Sequence, residues 1–154
     1  MTDPGQVLSP SSTLVSPSEL LKSFIDTHCD RAIVPSGAVV GGADDNEQEA
    51  GVISIMDAGN TKQELYAPLL HKRCQLRCLA PTLYHADRIG SHAFALLNDQ
   101  KWLELKDNAG VTWFVHTIYC STGPSHHLDS KETNEALFFA NITVGSEPVL
   151  TPSP

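Results

Sequence analysis

The residues of this 154-residue chain that could do chemistry are four cysteines, seven histidines and eighteen Asp and Glu. Nucleophilic cysteine catalysis needs a thiolate, a histidine to take its proton, and a third group to orient that histidine. One stretch sets such residues in an ordered pattern. His92-Ala93-Phe94-Ala95-Leu96-Leu97 precedes a turn, Asn98-Asp99-Gln100-Lys101, and Trp102-Leu103-Glu104-Leu105-Lys106-Asp107-Asn108 follows it. The same residue types could hold zinc, which takes nitrogen and sulfur ligands, and His71, Cys74, Cys78 and His85 lie close in sequence. On a helix, His71, Cys74 and Cys78 share one face. On a strand, Cys74 and Cys78 stand about 13 Å apart, too far for one ion. His116 and Cys120 share a strand face at a similar separation of about 13 Å, and His126-His127 follows the loop residues Ser121-Thr122-Gly123-Pro124. The Cys-x3-Cys spacing matches no strong zinc motif, and free cysteines commonly serve as small buried hydrophobes. No metal and no cofactor is expected.

A histidine opening an apolar strand, followed by a Trp-led strand that ends in an acid or amide, resembles papain-like cysteine proteases and transglutaminase-like enzymes. In those families the two strands pair and bring the histidine near the Asp or Asn. The resemblance implies His92 as general base, Asp107 as its orienter and, by elimination, Cys29 as nucleophile. Those families place the cysteine at the start of a helix, where the dipole helps to lower its pKa. Cys29 instead falls near the end of a helix, between Asp26 and Asp30, which push a thiol pKa upward.

Charge narrows the partners. The formal net charge is −8, whereas a nucleic-acid binder presents a basic face to phosphates. The basic residues are scattered apart from Lys72, Arg73, Arg77 and Arg88, so neither nucleic acid nor a membrane surface is expected. No run approaches the roughly 18 apolar residues of a membrane helix, and the first residues lack the basic and apolar regions of a signal peptide. Gly41-Gly42 is followed by acids, unlike a phosphate-binding loop. Four unevenly spaced cysteines suit reduced thiols, hence a cytoplasmic or nuclear protein.

The elements that must position these residues begin with a capping box, Ser16-Pro17-Ser18-Glu19, which predicts an amphipathic helix to about Arg31 that buries Leu20, Leu21, Phe24 and Ile25. Ala38–Val40 and Val52–Met56 read as strands, with an exposed acidic loop from Gly41 to Gly51 between them. Thr61-Lys62-Gln63-Glu64 is a second capping-box match and predicts a short helix. Residues 74–86 are ambiguous, with strand favoured and Pro81 at an edge or bulge. Trp102–Lys106 and Val111–Tyr119 alternate around Asp107-Asn108-Ala109-Gly110, the pattern of a hairpin. Ser130–Phe139 reads as a helix, with a closing strand over Phe138–Val144 as the alternative. The sum is a single α+β domain over residues 16–144, with an antiparallel-rich sheet, two or three packed helices, and disordered tails at 1–15 and 145–154. With no catalytic constellation complete, the expected function is a non-catalytic protein-interaction module, an adaptor or regulatory subunit binding a protein partner. The alternative is a cysteine-dependent acyl-transfer enzyme using Cys29, His92 and Asp107.

Overall fold

The computed structural model describes residues 15–58, 62–63, 69–120, 123–128 and 134–149. The first helix, α1 (Pro17–His28), starts with Pro17 at a position where its missing N–H costs nothing. Ser16 is the N-cap, but its hydroxyl makes no capping bond. Its carbonyl instead accepts the amides of Glu19 and Leu20. Leu20, Leu21, Phe24 and Ile25 are buried as the stripe requires. The helix stops before the expected Arg31, and Asp30 Oδ1 accepts the Ala32 N–H at 2.9 Å to turn the chain.

Strands β1 (Ala38–Val40) and β2 (Val52–Asp57) pair in parallel, and parallel neighbours need a crossover connection. That crossover corrects the expected acidic loop, because Asp45–Ala50 form a helix, α2. The Glu47 N–H donates to Asp44 Oδ1 at 2.7 Å, and the Asp44 N–H donates to Glu47 Oε1 at 2.9 Å. The carboxylates that suggested a loop are therefore the helix's own cap and first turn, where the helix dipole favours negative charge. Asp44, Asp45 and Glu49 remain exposed, as expected. Gly51 ends α2 at φ +105, and a Cβ there would lie 2.8 Å from His85 Cε1.

The helix expected at Thr61 is contradicted where it can be seen. Lys62–Gln63 form β3, which pairs with β4 (Leu69–Ala80), and the rest of that expected helix lies outside the described residues. A second correction concerns His92. It belongs to no strand, but to α3 (Leu83–Leu97). Pro81 ends β4, and Thr82 caps the helix, with Thr82 Oγ1 accepting the His85 N–H at 3.1 Å. Ala86, Ile89, Gly90, Ala93 and Leu97 are buried on one helical stripe. Gly90 lets the helix approach the sheet, since a Cβ at that position would lie 2.9 Å from Ala136 Cβ.

The expected hairpin is present as β5 (Gln100–Lys106) and β6 (Thr112–Cys120). After β7 (Ser125–Leu128) comes β8 (Asn134–Pro148), so the helix expected over Ser130–Phe139 is strand from Asn134 onward. The alternative closing strand, Phe138–Val144, forms the middle of β8. Its ladder also runs past residue 144, beyond the boundary that composition suggests for the C-terminal tail. Residues 1–14 and 150–154 lie outside the described residues.

The protein is a mixed α+β domain whose curled sheet runs β1-β2-β4-β8-β6-β5, with β3 beside β4 and β7 beside β8. The inner face supplies Ile53, Ile55, Cys74, Leu76, Cys78, Phe138, Ala140 and Ile142 to a core shared with the apolar stripes of α1 and α3. Among the described residues, no helix is long and apolar enough to cross a membrane. Leu76 is fully buried at the centre of this core. Leu76→Ala is expected to cost about 2–5 kcal/mol, the range for a large-to-small change at a packed site, read as a lower urea midpoint with an unchanged slope.

Candidate binding face of the sheet

The structure brings two of the three candidate catalytic residues into one neighbourhood. Cys29 is the C-cap of α1, and the backbone N–H of the next residue, Asp30, donates to His92 Nε2 at 3.0 Å. The His92 lone pair that would serve a general base therefore holds a backbone amide. Burial raises the Cys29 thiol pKa, and Asp26 and Asp30 add to the rise against the opposing pull of Arg31. The helix C-terminus also disfavours a thiolate. Asp107 sits at the β5–β6 turn, with its carboxylate taken up locally. Its Oδ1 accepts the N–H groups of Ala109 at 2.9 Å and Val111 at 3.0 Å, and its Oδ2 accepts Trp113 Nε1 at 3.0 Å. Partial burial pushes the Asp107 pKa upward, but the bonds from Trp113, Val111, Ala109 and Gly110 outweigh it and hold the carboxyl below its ordinary value. The pairing of strands that would carry His92 to Asp107 is absent, because His92 is helical.

The other cysteines, His85 and His71 are also held by the fold. Cys74 and Cys78 lie on the inner face of β4, and burial raises the Cys74 thiol to about 11 and the Cys78 thiol further. Burial likewise pushes Cys120 up to about 12. The His85 ring donates from Nε2 to the Ile33 carbonyl at 2.9 Å, and His71 Nδ1 lies 2.9 Å from Thr143 Oγ1. His126 and His127 fall in β7, where the sequence suggests a loop.

The outer face of the sheet depends on an irregularity in β6. Its buried residues are Trp113, Val115 and Ile118, spaced by two and then by three. Val115 pairs with Val144 and Thr117 with Thr143, so His116 is one residue too many against β8, a β-bulge. The bulge reverses the alternation, leaving Phe114 and His116 outward before it and Tyr119 outward after it. His116 and Cys120, expected on one face, fall on opposite faces, and Cys120 packs against the core.

Across from the bulge, Trp102 in β5 takes φ +58, a left-handed conformation that costs an L-residue roughly 1–2 kcal/mol. Lys101 and Leu103 pair with β6, while Trp102 has no register partner. Its side chain is nevertheless 66% exposed. The indole lies 5.6 Å from the His116 ring and 6.0 Å from Phe114, which meets His116 edge to face at 4.7 Å. Farther along the same face, Tyr119, Asn141 and Arg73 are register partners on three adjacent strands. The Arg73 guanidinium stacks 4.0 Å over the Phe139 ring. A groove of about 190 Å³ lies among His71, Arg73, Tyr119, Asn141 and Thr143. Arg77 Nε donates to Glu135 Oε2 at 2.8 Å four residues along β4 from Arg73. A wider groove of about 540 Å³ separates α1 from the β5–β6 turn and includes Asp26, Lys106 and Asp107 in its lining, but neither Cys29 nor His92. Sequence reasoning missed the outer face. Its one signal is the shift of apolar spacing from two to three among Trp113, Val115 and Ile118.

No family model and no curated protein matches this chain. Solved structures do match, among them one 8% identical over 99% of this chain and 100% of its own, with a TM-score of 0.38. A likeness at that level carries no argument about function.

Two outcomes test this geometry. With its pKa raised, Cys29 is expected to alkylate with iodoacetamide more slowly at pH 7 than a free cysteine, with no change in the pH profile in His92→Ala. Because the folded pKa of Asp107 is depressed, its contribution is fully present above the unfolded value near pH 4 and is lost as acid protonates the folded carboxyl. Asp107→Asn should lower stability at pH 7 and flatten the fall in melting temperature as the pH drops below about 4.

Proposed function

We propose that this chain is a non-catalytic protein-interaction module, an adaptor or regulatory subunit that meets a protein partner through the outer face of its sheet. The observation that carries this reading is Trp102, held at φ +58 with its indole 66% exposed. A strained backbone persists only where its surroundings enforce it, and such strain gathers at functional positions. Exposed tryptophan, tyrosine and arginine are the usual anchors of protein interfaces, and Trp102, Tyr119 and Arg73 lie on this face beside Phe114 and His116. The capped acidic helix α2 is a second exposed feature that a partner could meet. A net charge of −8 argues against nucleic acid as that partner. Four free thiols favour the cytoplasm or nucleus. The acyl-transfer reading of Cys29, His92 and Asp107 gains no support from a base whose ring nitrogen is engaged and a carboxylate bound within its own turn.

The test separates binding from folding. Glycine adopts positive φ without strain, so Trp102→Gly is expected to be more stable than Trp102→Ala by about 1 kcal/mol in urea unfolding. Both variants should lose the proteins that the wild-type chain captures from its native cell. Retention of those proteins by Trp102→Gly would overturn the proposal.

A further inference from the structure

We propose that the outer-face groove is an oxyanion site that takes the phosphomonoester of a phosphorylated side chain on a protein partner. This specifies the chemistry of the docking face and rests on that reading. The central group is Arg73. Among the described residues it makes no ion pair, whereas Arg77, on the same face of β4, is bound to Glu135. Arg73 instead lies flat on Phe139 at 4.0 Å. Stacking fixes a guanidinium while leaving its N–H donors at the edge available to planar or tetrahedral oxyanions.

The register places further donors around it. Asn141 is the cross-strand partner of both Arg73 and Tyr119, and Thr143 is the partner of His71. The guanidinium, the Tyr119 hydroxyl and the Asn141 amide together exceed what the two oxygens of a carboxylate can accept. A phosphomonoester carries about −1.5 to −2 charge and three strong acceptor oxygens, and it uses such a set more fully. No Asp or Glu lines the groove, although the chain has eighteen of them and a net charge of −8. That overall charge repels an extended polyanion, while Arg73 and Lys72, the latter paired with Asp57 at 3.5 Å, make the groove lining locally positive for one compact anion. The volume, about 190 Å³, is several times the ~30 Å³ that a water occupies in the liquid. The exposed Trp102–Phe114–His116 cluster lies on the same face, where the residues flanking a phosphorylated side chain would rest.

The experiment is an amide NMR titration of the full chain with phenyl phosphate, and in parallel with benzoate. Saturable shifts are expected at Arg73, Tyr119, Asn141 and Thr143, with benzoate binding roughly tenfold more weakly. Arg73→Met should abolish them, Arg73→Lys should keep a weakened response, and Lys101→Met, at another position on the sheet, should change nothing. The dispersion of each spectrum reports that the variant is folded. Equal responses to both probes, no saturation, or shifts indifferent to Arg73→Met would overturn the site. So would a concentration-dependent dimer dissolved by Arg73→Met, since the occupant would then be a second copy. Partner capture lost in Trp102→Gly without phenyl phosphate binding sinks the oxyanion site and leaves the docking face standing. Phenyl phosphate binding with capture unaffected by Trp102→Gly supports the site and sinks the docking reading.

Discussion

One extra residue in β6 sets what the two faces of this sheet present. Without the bulge at His116, strict alternation from Trp113 and Val115 would bury Thr117 and Tyr119 and turn Ile118 to solvent. With it, Ile118 joins the core, and Tyr119 stands outward beside Asn141 and Arg73. The partner strand answers in kind. Trp102 steps out of the β5 ladder at positive φ opposite the same region, and bulges locally increase twist. Two local irregularities thus account for the ring cluster on one face and the unbroken apolar lining of the other.

That lining has to be covered, and α1 and α3 cover it. The helices are fixed to the strands and to each other by polar contacts at their ends rather than by packing alone. Ser18 donates to Asp57 at 3.0 Å, and Asp26 accepts the first amide of β1 at Ala38. His85 and His92, both on α3, reach the turn after α1 at Ile33 and Asp30. His92, the catalytic candidate of the sequence, and His85 act here as splints between α3 and the turn after α1. Gly37 shows how closely this corner is built, because a Cβ at its φ of +65 would lie 2.6 Å from Asp26 Oδ1.

Legibility followed the range of the signal. The α1 stripe and the β5–β6 hairpin were readable because Leu20, Leu21, Phe24 and Ile25, and the alternation around Asp107–Gly110, are local patterns. Pro81 hid α3. It can equally mark a bulge within a strand or the gap between a strand and a capped helix, and Thr82 decides between them only once the helix is known. Asp44–Glu49 was misread as a loop because the acids of a capping box and the acids of a solvated loop have the same composition. Asn134–Phe139 was misread as a helix, since its place in the ladder is set by β4, far away in sequence. The outer face was invisible for the same reason. Arg73, Tyr119 and Asn141 come together only through the pairing of three strands.

The kink at Trp102 has a consequence beyond the face it decorates. β5 is the last strand on the sheet's main path, and a free edge invites another chain to extend the ladder. A residue at φ +58 breaks the row of edge amides and carbonyls near its middle, and Lys101, Glu104 and Lys106 line the same strand with exposed charge. The opposite end of the path is the three-residue β1, too short to template much of a neighbour. The backbone distortion that exposes an indole also interrupts the edge of the sheet, so edge-to-edge polymerisation is discouraged by the same residue.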